Sequence, residues 1–193
     1  MAFQLKISLD YSNKPPIWRK VLVPDTFSFH DLHAVIQTVM GWENMHLYAF
    51  RPDGHRGEDI GIPFEDDFMG GETTDARKTR IREYLTHEKQ EIAYEYDFGD
   101  SWTHTVLVEQ ITDEKIIAPR CLGGKGACPP EDCGGINGYY GLVETVNDPS
   151  HTEYAEMRDW LGLEDGEVWD VHEFDIADCE QDIIHFRQYT EGW

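Results

Sequence analysis

The chain has 193 residues, 40% hydrophobic and 12% aromatic, and its 16 basic against 38 acidic residues give a formal net charge of −22. That length and apolar content predict one folded domain, 1–193, with a sizeable core, and exclude a disordered chain. The acidic excess argues against a nucleic-acid backbone as the main ligand, and the lack of a long apolar run or of a basic-then-apolar leader at Met1 predicts a cytoplasmic protein with no membrane span.

Phe3, Leu5, Ile7, Leu9 and Tyr11 alternate with polar residues, the period of a strand with one buried face. Ser12-Asn13-Lys14-Pro15-Pro16 supplies turn chemistry, and Ile17–Val23 returns as the second strand of a hairpin closed by Pro24. Ser28 then reads as a helix N-cap, with Asp31 three residues on in a capping-box arrangement. Leu32, Val35, Ile36, Val39 and Met40 form a single apolar stripe, and Gly41 is a natural stop. His30 and His33 on this helix are expected to be at the surface or half-buried.

Met45–Arg51 predicts a third strand, and Pro52 to Asp75, with its Glu65-Asp66-Asp67 run, an irregular excursion. Ala76–Leu85 predicts a short helix. Ile92, Tyr94, Tyr96 and Phe98 alternate up to a Gly99-Asp100 turn, and Trp102, His104, Val106 and Val108 share one face of the returning strand. Lys115–Arg120 suggests a further strand, and Tyr139–Val146 a helix. Asp148-Pro149 would cap a helix ending near Gly162, and Asp175 a last helix carrying Ile176, Cys179, Ile183 and Phe186. With strands early and helices late, the fold class is α+β. The architecture is an antiparallel sheet built from hairpins with helices packed on it, the helices concentrated in the C-terminal third.

The charge is unevenly placed. Residues 1–50 carry four bases and four acids, whereas residues 151–193 carry two bases and thirteen acids. The one basic cluster, Arg77-Lys78-Thr79-Arg80-Ile81-Arg82, reads as the exposed face of a short helix balanced by Glu83 and Glu88.

Two segments are dense in chemically able side chains. Cys121, Cys128 and Cys133 fall in a glycine- and proline-rich stretch. Three thiolates and one imidazole make a closed tetrahedral zinc site, and His104 or His151 would supply the fourth ligand. The C-x6-C-x4-C spacing departs from the tight zinc knuckle, so buried thiols in a turn region fit the same residues. Cys179 lies on a helical stripe and reads as core. The second segment, Asp97 to His104, places Asp97, Asp100, Trp102 and His104 at a hairpin tip, where they would hold a metal or a small polar ligand. An aromatic turn accounts for them equally well. The Asp97-Phe98-Gly99 triplet lacks the glycine-rich loop and catalytic-loop motif of a kinase, and no nucleophile elbow, Walker loop or dinucleotide fingerprint is present.

The segments Pro15-Pro16-Ile17-Trp18-Arg19, Asp31-Leu32-His33, Gly41-Trp42, His46-Leu47, Tyr96 to Trp102, Cys128-Pro129-Pro130-Glu131-Asp132-Cys133-Gly134-Gly135, Gly138-Tyr139 and Asp148-Pro149 follow in order along nearly the whole chain. In this they resemble the plasmid pRiA4b ORF-3-like family. The resemblance implies an α+β domain found in bacteria and archaea, often near mobile elements, and some relatives carry a transposon-passenger or resolvase-like label. A serine recombinase needs a nucleophile set among arginines and a basic DNA-binding module, and this chain has neither. The expected function is a non-catalytic binding or interaction module for a small molecule or a protein, with zinc at Cys121, Cys128, Cys133 and His104. The alternatives are a metal-dependent enzyme using Asp97, Asp100 and His104, and a mobile-element DNA-transaction protein.

Overall fold

A computed structural model describes residues 1–54, 57–63 and 73–190. Its frame is one eight-stranded sheet in the order β5-β4-β3-β6-β7-β1-β2-β8. β1 (Ala2–Leu9) lies between β2 (Trp18–Pro24) and β7 (Trp102–Thr112), antiparallel to both. β6 (Glu91–Tyr96) pairs antiparallel with β7 and with β3 (Tyr48–Arg51). Beyond β3 come β4 (Ile60–Gly61) and β5 (Thr74–Asp75), the one parallel pair, and β8 (Arg120–Lys125) closes the opposite edge. The class is α+β, as the order of patterns predicts. Both hairpins form where the alternation places them, with Phe3, Leu5, Ile7, Leu9, Ile92, Tyr94, Tyr96, Trp102, His104, Val106 and Val108 buried.

Helix α1 (Phe29–Met40) lies on this buried face. Its ends match the sequence signals: Ser28 and Asp31 exchange the two hydrogen bonds of a capping box, and Gly41 takes the left-handed conformation at φ 78°. The single stripe is a correction. Eleven of its twelve residues are buried, including His30 and His33 at 5% and 0% exposure. The C-terminal segment is the reason. α4 (Ile176–Ile183) and the 3-10 turn Phe186–Thr190 pack onto α1, and α4 also reaches the edge strand β8. A stripe pattern registers only the sheet-facing side; a lid made late in the chain covers the rest.

His33 is therefore a core residue with a complete set of polar partners. Its Nε2 lies 2.7 Å from Asn44 Oδ1 and its Nδ1 2.8 Å from the Tyr94 hydroxyl. Gln37 donates to that hydroxyl at 3.2 Å and accepts from the Asn44 backbone, while Asn44 Nδ2 donates to the Tyr189 carbonyl. A neutral ring donating through Nε2 satisfies every member. Burial pushes the His33 pKa down to about 3, so the neutral form is the one held.

Three further segments depart from expectation. Ala76–Leu85 forms only a 3-10 turn, Ile81–Glu83. Its backbone is taken up elsewhere: Phe29 N–H donates to the Thr79 carbonyl and Ile81 N–H to the Phe27 carbonyl, so the segment pairs with the entrance of α1. The edge strand runs through Arg120–Lys125 rather than Lys115–Arg120, across two glycines that read as loop. Gly124 is needed there because a Cβ would stand 2.5 Å from the Phe174 ring. After α2 (Gly135–Asn147), helix α3 (Tyr154–Leu161) begins later than Asp148-Pro149 suggests, because Asp148 instead caps a local turn onto Ser150. α3 ends, as expected, at Gly162, and Asp175 caps α4 through Ala177 N–H. The Glu65-Asp66-Asp67 run lies outside the described residues. No described helix is long and apolar enough to cross a membrane.

Candidate metal and ligand site

The two dense motifs of the sequence meet at one corner of the molecule. The tip of the β6–β7 hairpin, residues 97–101, faces the Cys128–Gly135 loop, and the loop from α1 into β3 fills the space between them. Asp100 Oδ2 accepts the Gly134 backbone N–H at 2.9 Å, and Trp42 Nε1 donates to the Pro129 carbonyl at 2.9 Å. The Tyr96 hydroxyl donates to Glu131, and it also accepts from the Met45 backbone at 3.0 Å. Glu131 takes a second bond from the Glu43 backbone at 3.1 Å. Burial, reinforced by Glu131, raises the Tyr96 pKa and keeps its proton on the phenol.

At the centre of this junction, His46, Asp97 and Asp132 bring one ligand atom each to within 4.8 Å of one another. His46 Nε2 is 3.1 Å from Asp132 Oδ1 but outside hydrogen-bond geometry, and His46 Nδ1 is 3.8 Å from Asp97 Oδ1. Asp97 is 8% exposed, and its Oδ1 accepts the Gly99 backbone N–H at 2.9 Å, which shapes the tip. Asp97 and Asp132 both adopt left-handed backbone, φ 54° and 57°, a region aspartate tolerates better than most residues.

Among the residues picked out by sequence, Asp97 and Asp100 stand at this junction, whereas Trp102 and His104 lie beneath it at 1% and 0% exposure. Strand alternation is the reason: even-numbered residues of β7 face α1. His104 packs its ring against Trp42 and Tyr94, donates from Nδ1 to the Trp102 carbonyl at 3.0 Å, and is held neutral by burial, its pKa pushed down to about 3. The cysteines separate as well. Among the described residues, the group of three that brings ligand atoms within 4.8 Å of one another is His46, Asp97 and Asp132, and Cys121, Cys128, Cys133 and His104 are not in it. Cys121 is buried on β8 and Cys179 is buried on α4, while burial drives the Cys128 and Cys133 thiols up to about 12. His46 is the residue that spacing arguments missed. The available signal was its place in the His46-Leu47 segment, one of those carrying the family resemblance.

Asp132 and Cys133 also end a groove of about 580 Å3 between α2 and α3. Leu142, Met157 and Trp160 form its apolar wall, and Glu144, Glu153 and His151 its polar rim. The basic cluster is elsewhere: Arg77 and Lys78 share Asp75, at 2.8 and 3.2 Å, and Arg80 donates to the Thr26 carbonyl.

Residues 1–178 match the model of the plasmid pRiA4b ORF-3-like protein family. An uncharacterised protein of Sinorhizobium fredii, y4hQ, is 37% identical over 164 residues, 84% of this chain and 81% of that protein. The crystal structure of MM3350 from Methanosarcina mazei Go1, a protein of unknown function, superposes with a TM-score of 0.76 at 36% identity. The likeness covers 92% of this chain and 96% of the other.

Proposed function

The chain belongs to the plasmid pRiA4b ORF-3-like family, and from that premise we propose that it is a metal-assisted binding module. In this reading His46, Asp97 and Asp132 hold one divalent cation, and a small molecule lies in the groove between α2 and α3 beside it. The observation that carries the reading is the convergence of one imidazole nitrogen and two carboxylate oxygens from three separate segments within 4.8 Å. One nitrogen and two oxygens suit a first-row divalent ion. Three protein ligands, unlike the four of a structural zinc site, leave positions for water or for a donor atom of the bound molecule. Asp100 and Glu131 beside the site add negative potential that favours a cation.

Titration calorimetry of untagged protein with Zn²⁺ and Mn²⁺ tests the reading. One site per chain is expected, abolished in His46→Ala and Asp97→Asn and retained in Cys128→Ser. Binding that survives both of the first two changes, or is lost only with the cysteine, refutes it. A metal-dependent enzyme is the second reading, favoured by the same open coordination positions. It requires turnover of an ester, phosphate or amide substrate that depends on both the added ion and Asp97.

A further inference from the structure

Two glycines of α2, Gly138 and Gly141, line the groove between α2 and α3. Gly138 is there for packing, because a Cβ would overlap the Cys133 carbonyl oxygen. Gly141 is not: a Cβ there would meet no atom within 4 Å. A glycine in mid-helix weakens the helix, and what it leaves here is open space beside Leu142, Met157 and Trp160. Trp160 keeps 49% of its surface exposed, an indole left in water on a groove wall.

The charge around this space is of one sign. From Gly135 to Leu163 the chain carries five acids and one base, Arg158. Arg158 does not line the groove; it is 7% exposed and donates to the carbonyls of Val146, Glu164 and Glu167. Among the described residues, Glu144 and Glu153 pair with no base. His151 adds no positive charge, since its Nδ1 accepts the Glu153 backbone N–H at 3.2 Å.

We propose that the groove binds an arylalkylamine in its ammonium form, the aromatic body over Gly141 against Leu142, Met157 and Trp160, the ammonium on Glu144 and Glu153. This rests on the reading of the groove as the small-molecule site and does not require the cation at His46. An anion would meet carboxylates with no base beside them, and a neutral solute would leave those carboxylates unused. An ammonium donates charge-assisted hydrogen bonds to them and is drawn to the indole face as well. The volume, about 580 Å3, lies in the range of sites that enclose drug-sized molecules. A divalent ion, when bound, takes up the charge of Asp132 at the groove end and leaves Glu144 and Glu153 to the ammonium.

The test titrates the full chain calorimetrically with tryptamine, with its neutral counterpart tryptophol and with the anionic indole-3-propionate, each in the absence and presence of Zn²⁺. Tryptamine is expected to bind about tenfold more tightly than tryptophol, and indole-3-propionate more weakly than either. Amide shifts on adding tryptamine should map to α2 and α3. Gly141→Leu should abolish binding while the thermal midpoint holds or rises, because leucine fills the groove without a clash and favours the helix. The double change Glu144→Gln and Glu153→Gln should bring tryptamine down to the affinity of tryptophol. Tryptophol or indole-3-propionate binding as tightly as tryptamine overturns the ammonium but leaves the groove as the site. Failure of all three probes, shifts confined to other elements, or binding that survives Gly141→Leu overturns the groove itself. The Zn²⁺ titration decides the metal separately.

Discussion

Asp100 and Gly135 stand at backbone contact: the Asp100 carbonyl oxygen is 2.6 Å from the point where a Cβ on Gly135 would fall. The neighbouring Gly134 N–H is bonded to the Asp100 carboxylate. A hairpin tip and a glycine-rich loop more than thirty residues apart are thereby clamped at the spacing that brings Asp97 to Asp132. Gly135 allows this close approach.

Gly135→Ala is expected to destabilise the fold by about 2–4 kcal/mol, because the added methyl meets the Asp100 backbone and φ is +68°. If the tip and loop part to accommodate it, divalent-ion affinity falls in the same variant although no ligand is changed. Urea unfolding measures the first effect and calorimetry the second. An alanine tolerated with full affinity means that the clamp does not set the site.

Tyr94→Phe removes one oxygen and strands two partners. His33 Nδ1 loses its donor at 2.8 Å and Gln37 Nε2 its acceptor at 3.2 Å, both inside the core. The expected cost is about 1–3 kcal/mol, above that of an ordinary surface hydrogen bond, since neither group can reach water. Equilibrium urea unfolding with an unchanged denaturant slope isolates this cost from any loss of two-state behaviour.

Stability should fall on mild acidification. His33 and His104 have folded pKa values of about 3 against an ordinary 6.5, so below pH 6.5 the unfolded chain binds protons that the folded chain refuses. Their contribution is complete above pH 6.5 and is lost progressively towards pH 3. Asp75, held at about 2 by Arg77, contributes a loss only below its ordinary 3.8. The interval from pH 6.5 to 4 is therefore assigned to the histidines. Urea midpoints across it should slope downward in the parent and less steeply in His104→Leu.

The capped helix and the two hairpins were legible because their signals are local: a capping box, a terminal glycine and period-two alternation each act within a few residues. What the sequence hid depends on distant chain. Nothing near His30 or His33 announces that Phe186 and Tyr189 will cover them, and a strand through Gly123-Gly124 makes sense only beside Phe174. The meeting of the two dense motifs was foreseeable; the place of His46 in it, and of His104 beneath it, was not. His104 lies beneath because of which face of β7 points inward, and His46 sits in a loop whose course is set by Trp42 and Tyr96.

The C-terminal lid itself yields the sharpest energetic test. Phe186 is 3% exposed and stacks on Phe27 with ring centres 5.2 Å apart, while Tyr189 receives the Asn44 side chain and Arg187 lies 3.7 Å from Asp31. The apolar contact dominates, because Arg187 itself is exposed and surface ion pairs contribute at most about 1 kcal/mol. Phe186→Ala should cost about 3–5 kcal/mol through lost burial and the cavity left behind, whereas Arg187→Ala should cost less than about 1 kcal/mol. Loosening the lid lets water reach His30, whose Nε2 is buried without a partner, so α1 amides on that side should exchange faster while those of β1 and β7 keep their protection. Uniform acceleration across the sheet would instead mean that lid and sheet unfold as one unit.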